Sequence, residues 1–197
     1  GEQGLVGHSG MGLASDVFTP EIMQRLTGTA AIGHVRYSTT GSNHLRNAQP
    51  LIVDYARGQL AVGHNGNLVN ALSLRRELEA AGSIFQTTTD SEIIIHLMAR
   101  PFNGTFEELL LNVFRRLQGA FSLVLQTPEM VIGVRDPQGF RPLSLGKLGN
   151  AYVLASETSA FDLTGAEFVR DIEPGEVVLI DAQGVRSLKL CNPRSRA

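Results

Sequence analysis

The sequence predicts an α+β domain with four layers, an αββα sandwich of two mainly antiparallel sheets. Two observations predict this architecture. Short apolar runs rich in β-branched residues alternate with Gly, Asn and Pro through most of the 197 residues, which is typical of strands joined by turns. Three longer segments have apolar residues at helical spacing. Because several strands carry apolar residues on both faces, we expect two stacked sheets with helices outside them.

The strand predictions come from short apolar runs that are bounded by turn residues. In chain order they are 30–37, 51–54, 60–64, 120–126, 130–134, 151–155, 177–181 and 185–190. A short turn separates 120–126 from 130–134, and another separates 177–181 from 185–190. Each of these two pairs should therefore form an antiparallel hairpin.

The helix predictions rest on periodicity and on end signals. In chain order they are 68–81, 90–100 and 105–118. The second and third helices begin with capping-box patterns, Thr89 with Glu92 and Thr105 with Glu108. Pro101 prevents extension of the second helix. Because the last two helices follow each other directly, we expect them to pack as one layer over a sheet face.

Charge and composition exclude several functional classes. The chain has 17 basic and 19 acidic residues and a net charge of -2, which argues against a general nucleic-acid binder and a polybasic membrane-surface protein. No apolar run approaches the roughly 20 residues that cross a bilayer, so we expect a cytoplasmic protein. Cys191 is the only cysteine and the five histidines lack zinc-site spacing, so no metal site is predicted.

One candidate binding residue is Arg36, at the end of the predicted strand 30–37. An arginine that points into a cleft from a strand end can bind a carboxylate through two hydrogen bonds. The hydroxyl-rich residues that follow it are typical of a binding loop. A surface arginine with a solvated head is the alternative interpretation.

Two further segments place polar residues at element ends. Asn65 and Gly66 follow the predicted strand 60–64, where they could form a tight turn or direct donors into an oxyanion hole. On the dipeptide alone the turn is favoured. Asp90 begins a predicted helix, where the helix dipole favours a carboxylate. With Arg36 it could instead form a clamp for a zwitterionic amino acid.

Taken in order, these segments resemble the class II glutamine amidotransferases, which are N-terminal-nucleophile hydrolases. The most distinctive motifs are His-Val-Arg-Tyr-Ser-Thr-Thr-Gly at 34–41 and His-Asn-Gly-Asn at 64–67. Further matching segments are 10–18, 47–50, 85–92, 135–143, 155–157 and 170–176. The resemblance is to the branch that makes phosphoribosylamine, and it implies the four-layer αββα fold of these hydrolases.

The resemblance also implies roles for individual residues. Arg36, helped by Thr39, would bind the α-carboxylate of L-glutamine, and Asp90 would bind its α-amine. Asn65 and the N–H of Gly66 would form the oxyanion hole. In the family an N-terminal cysteine is the nucleophile and its own α-amine is the general base.

The domain boundaries implied are an amidotransferase domain over 1–190 that lacks the family's N-terminal strands and nucleophile, and a tail over 191–197. A phosphoribosyltransferase domain, the expected partner and the site of magnesium, would be absent from this chain, which should itself hold no cofactor. The full enzyme would be a homo-oligomer.

The activity implied is the glutaminase part of the first step of de novo purine synthesis. In that reaction glutamine, phosphoribosyl diphosphate and water give phosphoribosylamine, glutamate and diphosphate. We expect the 197 residues alone to be inactive for want of the N-terminal cysteine. The alternatives are another class II amidotransferase, or a non-catalytic amino-acid-binding or interaction module on the same fold.

Overall fold

Strands form two antiparallel sheets in the computed structural model, which describes residues 4–35 and 44–190. The strands are β1 (Leu51–Tyr55), β2 (Gly58–Leu68), β3 (Gly119–Gln126), β4 (Val131–Arg135), β5 (Ser144–Leu148), β6 (Ala151–Ala155), β7 (Glu167–Asp171), β8 (Glu176–Asp181) and β9 (Gly184–Lys189). The large sheet has the order β1-β2-β3-β4-β8-β9 and the small sheet the order β6-β5-β7. The predicted hairpins β3–β4 and β8–β9 are both confirmed.

Three of the helices cover the outer face of the large sheet. The helices are α1 (Ala14–Val17), α2 (Pro20–Arg25), α3 (Ala71–Ala80), α4 (Ser91–Ala99), α5 (Phe106–Arg116) and α6 (Ser159–Thr164), with a 3₁₀ turn at Leu45–Asn47. α4 packs on β1 and β2 and is flanked by α3 and α5. Apolar residues of α4 such as Ile94 and Met98 meet Val62 of β2 and Leu123 of β3 in a fully buried core.

A second, smaller core lies between the two sheets. It consists of Leu143, Leu145, Ile172 and Val178. The residue after Leu145 on β5 points to the opposite face. There a Cβ on Gly146 would lie 2.7 Å from the ring of Phe161 in α6. The order of layers is therefore α3–α5, large sheet, small sheet and α6, which confirms the predicted αββα sandwich.

A charged contact joins the two sheets. Arg170 of β7 donates two hydrogen bonds, of 2.9 and 2.7 Å, to the carboxylate of Glu176 on β8. The Ser187 hydroxyl and the Glu173 N–H also donate to Glu176, at 2.6 and 2.7 Å. Burial raises the pKa of Glu176, but these donors outweigh burial and lower its pKa to about 2. The carboxylate is thus held in its charged form.

One of the two predicted capping boxes is present. Thr105 and Glu108 each accept the backbone N–H of the other at the start of α5. The box predicted from Thr89 and Glu92 is wrong. The Glu92 carboxylate instead accepts both the N–H and the hydroxyl of Thr87, each at 2.7 Å. The preceding loop folds back onto α4, and its hydrogen bonds use the Glu92 carboxylate that would otherwise cap the helix.

The predicted strand 30–37 is wrong over the part that the structure describes. Residues 30–35 form no strand, and Val35 is 78% exposed. A side chain provides the contact between this segment and the large sheet, since Nε2 of Gln126 donates to the carbonyl of Ala30 at 3.1 Å. A β-branched run becomes a strand only where a neighbour completes its backbone ladder.

Several short elements escaped prediction. Strands β5 and β7 contain glycine or charged residues, and α1, α2 and α6 are too short for a clear helical period. In addition, β2 continues four residues beyond the predicted 60–64, and α3 starts at Ala71 instead of residue 68. This extension of β2 changes the local structure of the candidate site.

Candidate functional site

The candidate site forms where the end of β2 meets the start of α4. Asn65 and Gly66 lie in β2, paired with Ser122 and Phe121 of β3. Asp90 immediately precedes α4, and its Oδ2 accepts the backbone N–H of Leu68, the last residue of β2, at 2.9 Å. The fold therefore brings together three of the residues that the sequence proposed as a site.

The interpretation of Asn65–Gly66 as a turn is wrong, because both residues continue the strand. Gly66 has φ +143°, and a Cβ there would lie 2.1 Å from the carbonyl oxygen of Ala120 on β3. Only glycine allows two backbones to approach so closely at this φ. The chain turns after β2, at Val69 and Asn70.

Asp90 is ionised and reachable from solvent. Burial alone would raise the pKa of Asp90, but its contacts with His64 and with the N–H of Leu68 outweigh burial and hold the pKa below its ordinary value. The side chain remains 21% exposed. A charged carboxylate with an accessible edge can bind an ammonium group through charge-assisted hydrogen bonds.

His64 lies directly beneath this carboxylate. Its Nδ1 is 3.4 Å from Oδ1 of Asp90 and 3.2 Å from the hydroxyl of Ser91. Both His64 and Ser91 are buried. Sequence reasoning assigned His64 no role beyond its place in the His-Asn-Gly-Asn motif, because its partners lie 26 and 27 residues away along the chain.

The segment 44–50 is tied to the same region by two side chains. Asn47, which is 1% exposed, donates through Nδ2 to the Thr88 hydroxyl at 3.1 Å and accepts the Thr88 N–H at 3.3 Å. Gln49 accepts the backbone N–H of His64 at 2.6 Å. The only sequence signal for these anchors was the Asn-Ala-Gln-Pro motif at 47–50.

Arg36 and Thr39, predicted to bind a carboxylate, lie outside the described residues, as does Cys191. A cavity of about 770 Å³ is lined by Val35 and His44, the described residues on either side of 36–43 in the sequence, and by Ala61 of β2, among others. Its lining includes none of Asn65, Gly66 and Asp90. The cavity therefore reaches Gln49, which accepts the His64 N–H, without including the three residues at the end of β2.

Within residues 4–35 and 44–190, no three His, Cys, Asp or Glu side chains are grouped closely enough to hold a metal ion. None of the helices within these two ranges combines the length and the apolar composition that a membrane span requires.

Known proteins resemble this chain over most of its length. The family described as "Glutamine amidotransferase domain" matches residues 34–163. The chloroplastic amidophosphoribosyltransferase of Glycine max is 50% identical over 184 residues, which are 92% of this chain and 32% of that protein. The amidophosphoribosyltransferase of Bacillus subtilis is 45% identical over 184 residues, 93% of this chain and 39% of that protein.

A solved structure shares the fold. The glutamine phosphoribosylpyrophosphate amidotransferase from B. subtilis, complexed with ADP and GMP, superposes with a TM-score of 0.88 at 43% identity. The alignment covers 93% of this chain and 40% of that one. The chain thus spans 32% and 39% of the length of the two curated relatives above.

Proposed function

The chain belongs to the glutamine amidotransferase domain family, and from this membership we propose that it is the glutaminase part of an amidophosphoribosyltransferase. The observation that carries the proposal is the hydrogen bond from the Leu68 N–H to Asp90, which ties a carboxylate of lowered pKa to the strand that contains Asn65 and Gly66. The identity to amidophosphoribosyltransferases supports the same assignment.

We propose that Asp90 binds the α-ammonium group of L-glutamine and that Arg36, with Thr39, binds its α-carboxylate. The Asn65 amide and the Gly66 N–H would stabilise the oxyanion that develops when the side-chain amide is attacked. The pairing of Asn65 and Gly66 with β3 supports this role, because oxyanion donors must be in place before charge develops. The products are glutamate and ammonia.

For the whole enzyme, we propose transfer of this ammonia to phosphoribosyl diphosphate, with a phosphoribosyltransferase domain as the partner and the site of magnesium. Residues 1–190 would form the amidotransferase domain and 191–197 a tail. We further propose a homo-oligomer that acts in the cytoplasm. The single cysteine of these 197 residues, Cys191, is not N-terminal, so we expect these residues alone to bind glutamine without hydrolysing it.

The first prediction concerns glutamine binding, measured by calorimetry on the 197-residue chain. Asp90→Asn removes the charge that pairs with the ammonium group and should weaken the affinity for L-glutamine roughly 10-fold or more, since hydrogen bonds to charged groups contribute about 1.5–3 kcal/mol. Arg36→Ala should abolish detectable binding. The matched control is Asp162→Asn, at an exposed position on α6, which should leave the affinity unchanged.

The alternative of a non-catalytic amino-acid-binding module has a distinct outcome in this assay. Binding of other amino acids in preference to glutamine would favour a non-catalytic amino-acid-binding module. Absence of glutamine binding by the wild-type chain, or equal affinity in Asp90→Asn, would contradict the proposed site. Ammonia release from glutamine that persists after alkylation of Cys191 would contradict the expected lack of turnover.

A further inference from the structure

We propose that His64 is a positioning residue whose buried ring orients the Asp90 carboxylate toward the ammonium group of the substrate. The inference rests on the proposed function, because that function assigns the ammonium group to Asp90. His64 is 4% exposed, so it cannot contact a ligand from solvent, whereas the Asp90 side chain is 21% exposed. Nδ1 of His64 lies 3.4 Å from Oδ1 of Asp90.

The geometry determines where the ring proton lies in neutral His64. A carboxylate oxygen only accepts hydrogen bonds, so an Nδ1 that faces Oδ1 of Asp90 should carry the hydrogen. Nδ1 lies 3.2 Å from the Ser91 hydroxyl, a hydrogen-bond distance, and 3.4 Å from Oδ1 of Asp90, close enough for the N–H dipole to attract the carboxylate. The Nδ1–H tautomer is therefore the one that suits this environment.

The other ring nitrogen supports the same tautomer. Nε2 of His64 is buried and has no hydrogen-bond partner among the residues that the structure describes. A hydrogen on Nε2 would leave a buried donor unpaired and would also set the Nδ1 lone pair against the Asp90 carboxylate. With the hydrogen on Nδ1, the ring leaves only a lone pair without a partner.

The carboxylate is held at both oxygens by the same strand. Oδ1 of Asp90 contacts His64, and Oδ2 accepts the N–H of Leu68. These two partners stand on either side of Asn65 and Gly66 in β2. The strand that would supply the oxyanion donors thus also fixes the plane of the carboxylate that would bind the amine. The α-amine and the side-chain amide of glutamine would therefore both be positioned by β2.

The experiment compares two ligands on three forms of the chain. Calorimetry gives the dissociation constants of L-glutamine and of 4-carbamoylbutanoate, the same molecule without the α-amine. The dissociation constant of 4-carbamoylbutanoate divided by that of L-glutamine isolates recognition of the amine, and this quotient is the ratio compared below. His64→Asn retains an N–H donor near the Nδ1 position and should keep the wild-type ratio. His64→Leu removes the donor and should lower the ratio by roughly fivefold or more.

A purely structural role for His64 would weaken both ligands equally and leave their ratio unchanged in His64→Leu. That result would overturn the proposal. Loss of the amine preference in His64→Asn as well would also count against it, because the Asn side chain should replace the donor.

A second measurement does not depend on ligand binding, and its first part uses only the wild-type chain. Long-range ¹H–¹⁵N spectra of the wild-type chain should show His64 as the Nδ1–H tautomer, and Asp90→Asn should shift its ring signals. The exposed His44 is the matched control and should not shift. An Nε2–H tautomer at His64 would overturn the proposal. Absence of glutamine binding by the wild-type chain would instead overturn the proposed function, while these spectra still decide the His64 contact.

Discussion

Within the candidate site, Gly66 is the residue at which the backbones of β2 and β3 leave no room for a side chain. An added Cβ would lie 2.1 Å from the carbonyl oxygen of Ala120 and 2.8 Å from the Cα of Phe121. Both neighbours are backbone atoms of a central strand and cannot move aside without breaking the ladder. The same glycine presents the N–H that we propose for the oxyanion hole, so its conformation affects both stability and binding.

We therefore predict that Gly66→Ala lowers the free energy of unfolding by roughly 2 kcal/mol or more, through the clash and the strained φ. Urea denaturation followed by circular dichroism measures the change. Gly33→Ala is the control, because a Cβ at Gly33 meets no atom within 4 Å among the described residues and its φ is not left-handed. Similar unfolding midpoints for the two variants would contradict the prediction, because they would show that the backbone of β3 moves to accommodate the added Cβ.

At the scale of elements, the helix layer over the large sheet is secured at its ends by side chains near in sequence. The capping box of α5 pairs Thr105 with Glu108. In α4 the Glu92 carboxylate binds the loop at Thr87 instead. That contact orders the loop which leads to Asp90. The loop that precedes Asp90 is therefore fastened to the first turn of α4.

We predict that Thr105→Ala destabilises the chain by about 1 kcal/mol, because it leaves the backbone N–H of Glu108, in the first turn of α5, without its acceptor. The measurement is the midpoint of chemical unfolding. Thr158→Ala is the matched control, since Thr158 precedes α6, is exposed and makes no side-chain capping bond in the part of the chain that the structure describes. Equal losses for the two variants would contradict the role of the box.

At the scale of the whole molecule, the pairing of Arg170 with Glu176 connects the small sheet to the large one. Glu176 has a folded pKa of about 2, below its ordinary 4.5. Because the pKa is depressed in the folded state, its stabilising contribution is fully present above about pH 4.5 and is lost as the pH falls toward 2. Arg170 is 38% exposed, so water screens part of this interaction.

We predict that the free energy of unfolding falls by roughly 2 kcal/mol between pH 5 and pH 2 on account of Glu176, after allowance for that screening. Glu176→Gln should lose a similar amount at neutral pH and show a flatter dependence below pH 5. Denaturant titrations at several pH values measure both effects. Glu167→Gln, at an exposed position on β7, is the control. Parallel pH profiles for wild type and Glu176→Gln would contradict the prediction.

The sequence by itself determined the features that nearby residues encode. The hairpins β3–β4 and β8–β9 follow from short turns between apolar runs, and the capping box of α5 follows from residues three positions apart. The αββα sandwich followed from strands that are apolar on both faces. The ordered set of motifs pointed to the family and, by resemblance, to Asn65, Gly66 and Asp90.

Only the tertiary structure decided what depends on distant partners. It placed Asn65 and Gly66 in a strand, because β3, more than 50 residues later in the chain, continues the ladder past residue 64. It left residues 30–35 without a strand. It also paired the Glu92 carboxylate with the loop at Thr87 instead of with the N-terminus of the helix. It also set His64 beneath Asp90. Local periodicity carries no information about which distant backbone or side chain completes a hydrogen bond, and these contacts are made across the fold.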